Sequence, residues 1–213
     1  MPRALRISYP GAIYHIRNRG NDRGEIFLDD FDRRHYLDLL CGAIATFRLK
    51  IYAYVLMSNH IHLFFRTLLP NISATMNRLN LDYSLYFNRR HGRTGHLFES
   101  RFKSKLVQED RYFLALLRYI HLNPVKAGIV SSPEQYKWSS HRVYLGNTDR
   151  VVADPNEALL LFSDNLERAR AAYLDFVGKP IPEKEWKILD KERNGVLGDS
   201  VFRHSLKRSQ VPF

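Results

Sequence analysis

His60-Ile61-His62 offers chemistry more directly than any other part of this chain. The pair stands between two apolar runs, Ile51–Met57 and Leu63-Phe64-Phe65. If residues 60–66 form a strand, alternate side chains project from opposite faces. Both imidazoles then share one face, while Ile61, Leu63 and Phe65 enter a core. Two imidazoles held close together on a rigid strand form half of a divalent-metal site. A second pair, Tyr119 and Asn123, lies four residues apart in Arg118-Tyr119-Ile120-His121-Leu122-Asn123-Pro124. On a helix their Cβ atoms would be about 5–6 Å apart. A Tyr hydroxyl can attack phosphorus, and an amide oxygen can join a metal shell. A hard oxygen beside two imidazoles suits Mn²⁺ or Mg²⁺ better than a closed zinc site. A phenol with pKa near ~10 is a weak nucleophile at neutral pH, so a cation polarising the phosphate would matter.

Each residue also has a plainer reading. A His-x-His on a strand is more often a polar sheet face than a metal site. A Tyr on an amphipathic helix usually packs, and an Asn before proline usually ends a helix. Tyr112 is the rival nucleophile, but it sits near the helix start with no oxygen donor four residues later. His121 points elsewhere on the helix and is read as packing or capping.

The chain has 213 residues and a formal net charge of +11. Residues 1–108 carry seventeen Lys and Arg against eight Asp and Glu, whereas residues 109–213 carry sixteen against fourteen. The histidine pair is thus in the basic half, which favours a polyanionic partner. Thirteen Phe and twelve Tyr supply rings for packing and for stacking on bases. No apolar run approaches ~18 residues, so no membrane span is expected. The first residues lack a secretory apolar segment. Cys41 is the only cysteine, which excludes an internal disulfide and a cysteine-rich zinc site and fits a reducing cytoplasm.

Several elements must position these groups. Residues 11–17 read as a strand, followed by a turn-rich stretch to Gly24. Asp29 or Asp30 caps a helix over about 31–48. Ile51–Met57 and His60–Arg66 form a hairpin across Ser58-Asn59. A helix covers about 72–90, and a strand about 102–108. Asp110 caps a third helix over about 111–122, which Pro124 stops. Its stripe of Phe113, Leu117 and Ile120 faces the sheet. The order gives an α+β fold: a ferredoxin-like βαββαβ antiparallel sheet with helices on one face. The character shifts near 147–155, so residues 1–149 read as one domain and 150–213 as a mostly helical C-terminal appendage.

The ordered set of motifs resembles the REP-associated tyrosine transposases, relatives of the single-tyrosine transposases in the HUH endonuclease superfamily. It comprises Tyr14–Asn21, Met57–His62, Gly95–Lys103, Arg118–Gly128 and Trp138-Ser139-Ser140, within about residues 5–146. The resemblance implies that His60 and His62 bind a divalent metal and that Tyr119 is the nucleophile. Asn123 stands where relatives carry a third, oxygen-donating ligand, often Gln. Members cut and rejoin single-stranded DNA near imperfect palindromes through a 5′-phosphotyrosine, without an external nucleotide. The implied partner is hairpin DNA, the implied assembly a monomer or homodimer, and the implied location the bacterial cytoplasm and nucleoid.

Arg17, Arg19 and Arg23 bracket a turn that could meet a DNA hairpin. Arg89, Arg90, Arg93, Arg101, Lys103 and Lys105 could meet backbone phosphates. Singly each reads as a solvated charge; together they read as a DNA surface. His96 and Phe98 either line the site or anchor the loop before the fourth strand. Trp138 packs the end of the first domain, and Arg203, Lys207 and Arg208 could add DNA contacts. Two other functions stay open: a catalytically idle DNA-binding regulator, and a phosphoesterase that uses activated water.

Overall fold

The polar turn at Ser58-Asn59 is gripped from both sides, and this grip fixes the strand that carries the histidine pair. Met57 N–H donates to the His60 carbonyl (2.9 Å), closing the hairpin between β2 (Leu49–Leu56) and β3 (His60–Thr67). The Ser58 carbonyl accepts from Ile26 and Phe27, and the Asn59 carbonyl accepts from Gly20. A Cβ at Gly20 would meet the Gly24 carbonyl oxygen at 2.1 Å, so only glycine permits this approach. The computed structural model describes residues 6–147, 152–190 and 195–209, with the side chains of 110, 111 and 207–209 outside that set. The expected cap Asp110 and the cations Lys207 and Arg208 therefore fall outside the described side chains.

β1 (Ile13–Arg19) lies antiparallel between β3 and β4 (Lys103–Val107). The sheet order is β2-β3-β1-β4-β5, with β5 (Gly195–Leu197) parallel to β4. The βαββαβ unit is present, and its helices α1 (Asp30–Phe47) and α2 (Ile72–Arg90) share one face. Ile61, Leu63 and Phe65 point into that core with Tyr14, Ile16, Leu40, Met76 and Tyr83. Asp29 caps α1, accepting from the N–H groups of Phe31 and Asp32. Beyond the unit, helices also cover the opposite face, where α3 (Glu109–Lys126) packs Phe113, Leu116, Leu117 and Ile120 against Tyr52, Val55 and Phe64. Burying each such side chain contributes roughly 1.5–3 kcal/mol.

Three details depart from the sequence reading. β2 and β3 are paired Ile51↔Phe65 and then Ala53↔Phe64, so Tyr52 is an extra residue in the ladder. The bulge turns Tyr52 and Ala53 both toward α3. Second, Pro124 does not stop the third helix, which runs on to Lys126. The Ala127 N–H bonds to the Asn123 carbonyl and the Ile129 N–H to the Pro124 carbonyl. Proline removes one N–H, and packing of the face before it keeps the turn helical. Third, the region past 150 contributes a strand as well as helices: α5 (Asn156–Leu160), α6 (Leu166–Gly178), α7 (Glu183–Asp190) and α8 (Ser200–Ser209). No described helix is long and apolar enough to cross a membrane.

Trp138-Ser139-Ser140 runs along the free edge of β2, with Leu56 N–H donating to the Trp138 carbonyl and Tyr54 N–H to Ser140 Oγ. The short helix α4 (His141–Tyr144) follows. His121 is buried in a chain of contacts. Its Nε2 meets Ser140 Oγ at 2.7 Å and its Nδ1 meets the Tyr173 hydroxyl at 2.8 Å. That hydroxyl also meets His141 Nδ1 at 2.5 Å. The chain ties α3, β2, α4 and α6 together.

Burial holds both His121 and His141 below the usual imidazole range, against an opposing pull from Glu134 on His141. Unfolded, each titrates near ~6.5. Below that pH the unfolded chain gains protons that the folded chain refuses, so stability falls as pH falls, by up to about 1.4 kcal/mol per unit per histidine. Thermal melts are expected to show a Tm that drops between about pH 7.5 and 5.5. Tyr173→Phe leaves two ring nitrogens without their partner and should cost about 1–3 kcal/mol at neutral pH. A flat Tm across that range contradicts this account.

Candidate active site

The sheet face beneath α3 is polar at its β1–β3 end. Alternation along β1 brings His15, Arg17 and Arg19 to the same face as His60 and His62, in the register His15↔Phe64, Arg17↔His62 and Arg19↔His60. β4 adds Lys105 opposite His15 and Lys103 opposite Arg17. α3 lowers Tyr119 and Asn123 onto this face. The rings of His60 and His62 lie 5.2 Å apart, and those of His62 and Tyr119 5.5 Å apart, both edge to face. The two sequence pairs thus meet in one place.

Hydrogen bonds orient both imidazoles. Asn59 Nδ2 donates to the Arg23 carbonyl (3.1 Å), leaving Asn59 Oδ1 to accept from His60 Nδ1 (2.7 Å). The His60 proton is therefore on Nδ1 and its lone pair on Nε2. Burial, aided by Arg17 and Arg19, lowers the His60 pKa to about 4. His62 is fully buried, which holds it neutral well below the usual range. Its Nδ1 lies 2.8 Å from His15 Nε2, with the two rings stacked 5.1 Å apart. Its Nε2 is buried with no protein partner. A buried polar atom left unbonded is costly, and a metal ion would engage this one. Asn123 reaches both the His60 ring and the Tyr119 hydroxyl, and its Nδ2 donates to the Tyr119 carbonyl (3.2 Å). Among the described residues, no group of three or more His, Cys, Asp and Glu is disposed to hold a metal. The donors that fit are two imidazoles and one amide oxygen, an open set that leaves positions for water or phosphate.

Tyr119 is 1% exposed. Its hydroxyl donates to Asp190 Oδ1 (2.8 Å), and its ring packs on Trp186 at 4.9 Å. Burial and the Asp190 carboxylate both push the phenol pKa above its usual range, so the phenol is neutral here. Both covering residues come from α7. That helix is tied to α3 by Arg118–Glu185 and Lys126–Glu183 ion pairs, each 3.3 Å.

The basic residues divide into groups. Arg17, Arg19, Lys103 and Lys105 share the site's face. Arg23, Arg89, Arg93 and Arg101 are exposed elsewhere. Arg90 is committed to α1, pairing with Asp29 at 2.6 Å and with buried Asp32. Its guanidinium is engaged by these two carboxylates in this structure. His96 is exposed and Phe98 half-buried. They line a groove of about 660 Å³ with Asn80, Asn88 and Arg101 that contains none of the His, Tyr and Asn residues of the site. Sequence reasoning passed over His15, Trp186 and Asp190. The two-residue spacing of His15, Arg17 and Arg19 was a readable signal for the first; nothing local marks the other two.

His15 holds the ring of a potential ligand by a single hydrogen bond. Replacing such a partner typically weakens metal binding about 10–100-fold. Titration of His15→Leu with Mn²⁺ by calorimetry should show a loss of that size, with the fold checked by circular dichroism. An unchanged affinity contradicts the positioning role.

Comparison with known proteins gives the fold and the family. The structure of a REP-associated tyrosine transposase bound to a REP hairpin matches 73% of this chain and 93% of its own, with a TM-score of 0.57 and 17% sequence identity. At that identity the likeness shows a shared fold. A crystal structure of a candidate transposase from Deinococcus radiodurans R1 covers 56% of this chain and 94% of its own at 16% identity, with a TM-score of 0.40. No curated protein matches. The family model for IS200-like transposases matches residues 8–123, more than half of the chain, and spans β1 through Asn123. The chain belongs to the family of IS200-like transposases.

Proposed function

We propose that this transposase is a metal-dependent single-stranded DNA transesterase that cuts and rejoins beside hairpins through a 5′-phosphotyrosine. One observation carries the reading: the Tyr119 ring lies edge to face on His62 (5.5 Å), whose ring in turn meets that of His60 (5.2 Å), on one face of the sheet. A divalent cation, Mn²⁺ or Mg²⁺, held by His60 Nε2, His62 Nε2 and the Asn123 amide oxygen, would polarise the scissile phosphate. The remaining work falls to the chain's own residues. Tyr119 Oη attacks phosphorus; the Oη–P bond forms and the P–O3′ bond breaks. The phenol proton is lost and the departing O3′ gains one. The phosphotyrosine keeps the bond energy, so a 3′-hydroxyl can reverse the exchange without an external nucleotide.

Every residue in this scheme comes from one chain, which supports competence of a monomer for a single cleavage. Trp186 and Asp190 cover the phenol, so DNA enters only when the end of α7 moves aside. The hairpin-bound relative supports a structured DNA partner, and exposed Arg23, Arg89, Arg93 and Arg101 supply charge for its backbone. Neutral imidazoles in a buried site favour the catalytic reading over an idle DNA-binding regulator.

The test is incubation with labelled single-stranded hairpin DNA and Mn²⁺, followed by denaturing electrophoresis. A covalent adduct is expected that chelation prevents and Tyr119→Phe abolishes. His62→Ala should lower adduct formation by about 100-fold or more. Cutting without an adduct, retained in Tyr119→Phe, would instead establish a water-using phosphoesterase. Binding without cutting would establish a regulator.

A further inference from the structure

Three donors converge on the last turn of α7. Arg17 Nη1 reaches Asp190 Oδ1 at 3.1 Å and the Asp190 carbonyl at 3.4 Å. The Tyr119 hydroxyl reaches the same Oδ1 at 2.8 Å. Lys105 Nζ donates to the carbonyls of Ile188 (3.4 Å) and Leu189. Arg17 keeps 12% of its side-chain exposure and Lys105 is 9% exposed. Two cations this deeply covered, beside three neutral histidines, require an anionic partner. α7 supplies one: a carboxylate and the electronegative carbonyl end of a helix. A phosphodiester offers the same pattern, one negative charge shared by two non-bridging oxygens.

We propose that Arg17, Lys105 and the Tyr119 hydroxyl form the cradle for the scissile phosphate, and that the Asp190 carboxylate and adjoining carbonyls occupy it in this conformation. The proposal rests on the transesterase reading and sharpens it: Arg17, first read as a hairpin contact, and Lys105, first read as a backbone contact, touch the reacting phosphate. It places the nucleophilic oxygen against the group it attacks, because the hydroxyl already contacts the stand-in. It also separates two roles for Asp190. As a general base it would need to accept the phenol proton and give up the charge that holds Arg17. It also shares its oxygen with a guanidinium. A competitor for the phosphate position fits these contacts better.

The two roles predict opposite results for Asp190→Asn, which keeps the shape and removes the charge. In the full-length protein, calorimetry with thymidine 3′,5′-bisphosphate in metal-free buffer should show about tenfold tighter binding for Asp190→Asn than for the parent. Adding Arg17→Gln or Lys105→Gln should remove the gain, and Lys105→Arg should keep most of it. Adduct formation should be about tenfold faster in Asp190→Asn and slower than the parent in Arg17→Gln. Slower adduct formation in Asp190→Asn would overturn the proposal in favour of a base, and unchanged binding and rate would reduce α7 to a structural strap. If Arg17→Gln does not fold, Arg17→Met in the Asp190→Asn background serves, and bisphosphate affinity that stays high while the charge is absent counts against the cradle. A parent that forms no adduct, with bisphosphate binding still dependent on Arg17, would keep the cradle and remove the transesterase reading.

Discussion

A sheet face that carries His15, His60, His62, Arg17, Arg19, Lys103 and Lys105 cannot be covered by helices at low cost. Every ring nitrogen and every charge must find a partner or be neutralised. The structure meets this constraint in two ways. The histidines stay neutral, two with their Nδ1 atoms held by Asn59 and His15. Lys105 and Arg17 are matched by the end of α7. His62 Nε2 is left without a protein partner. That atom lies where the chemistry is proposed to occur.

The scaffold around this face is correspondingly rigid. Gly20 lets the chain pass close to Gly24 and hold the hairpin turn, and Asn59 then serves both as turn residue and as the partner of His60. The bulge at Tyr52 directs two successive side chains toward α3. The Ser140–His121–Tyr173–His141 chain fixes α3 from behind, on the helix that bears Tyr119. The proposed nucleophile, on a well-anchored helix facing the proposed ligands on an interior strand, is held for precise positioning.

Much of this was legible in the sequence because it is periodic. The alternation of residues 60–66 placed His60 and His62 together and Ile61, Leu63 and Phe65 opposite them, as the structure shows. The spacing of Tyr119 and Asn123 gave their adjacency, and the element order gave the βαββαβ unit. The misses have physical causes. Pro124 reads as a stop, yet burial of Leu116, Leu117, Tyr119 and Ile120 keeps the helix intact beyond it. Tyr52 gives no local sign of a bulge. Gly195-Val196-Leu197 is three residues long, and only pairing with β4 makes it a strand. The meeting of Asp190 with Tyr119 joins residues 71 apart in sequence and leaves no trace in local pattern.

The central claim is that Tyr119, and no other side chain, joins the DNA. Mass spectrometry of proteolysed adduct, formed with Mn²⁺ and single-stranded hairpin DNA, tests it directly. The account requires a nucleotide 5′-phosphate on the peptide that contains Tyr119. A nucleotide on Tyr112 instead, or cleaved DNA with no modified peptide, would contradict it.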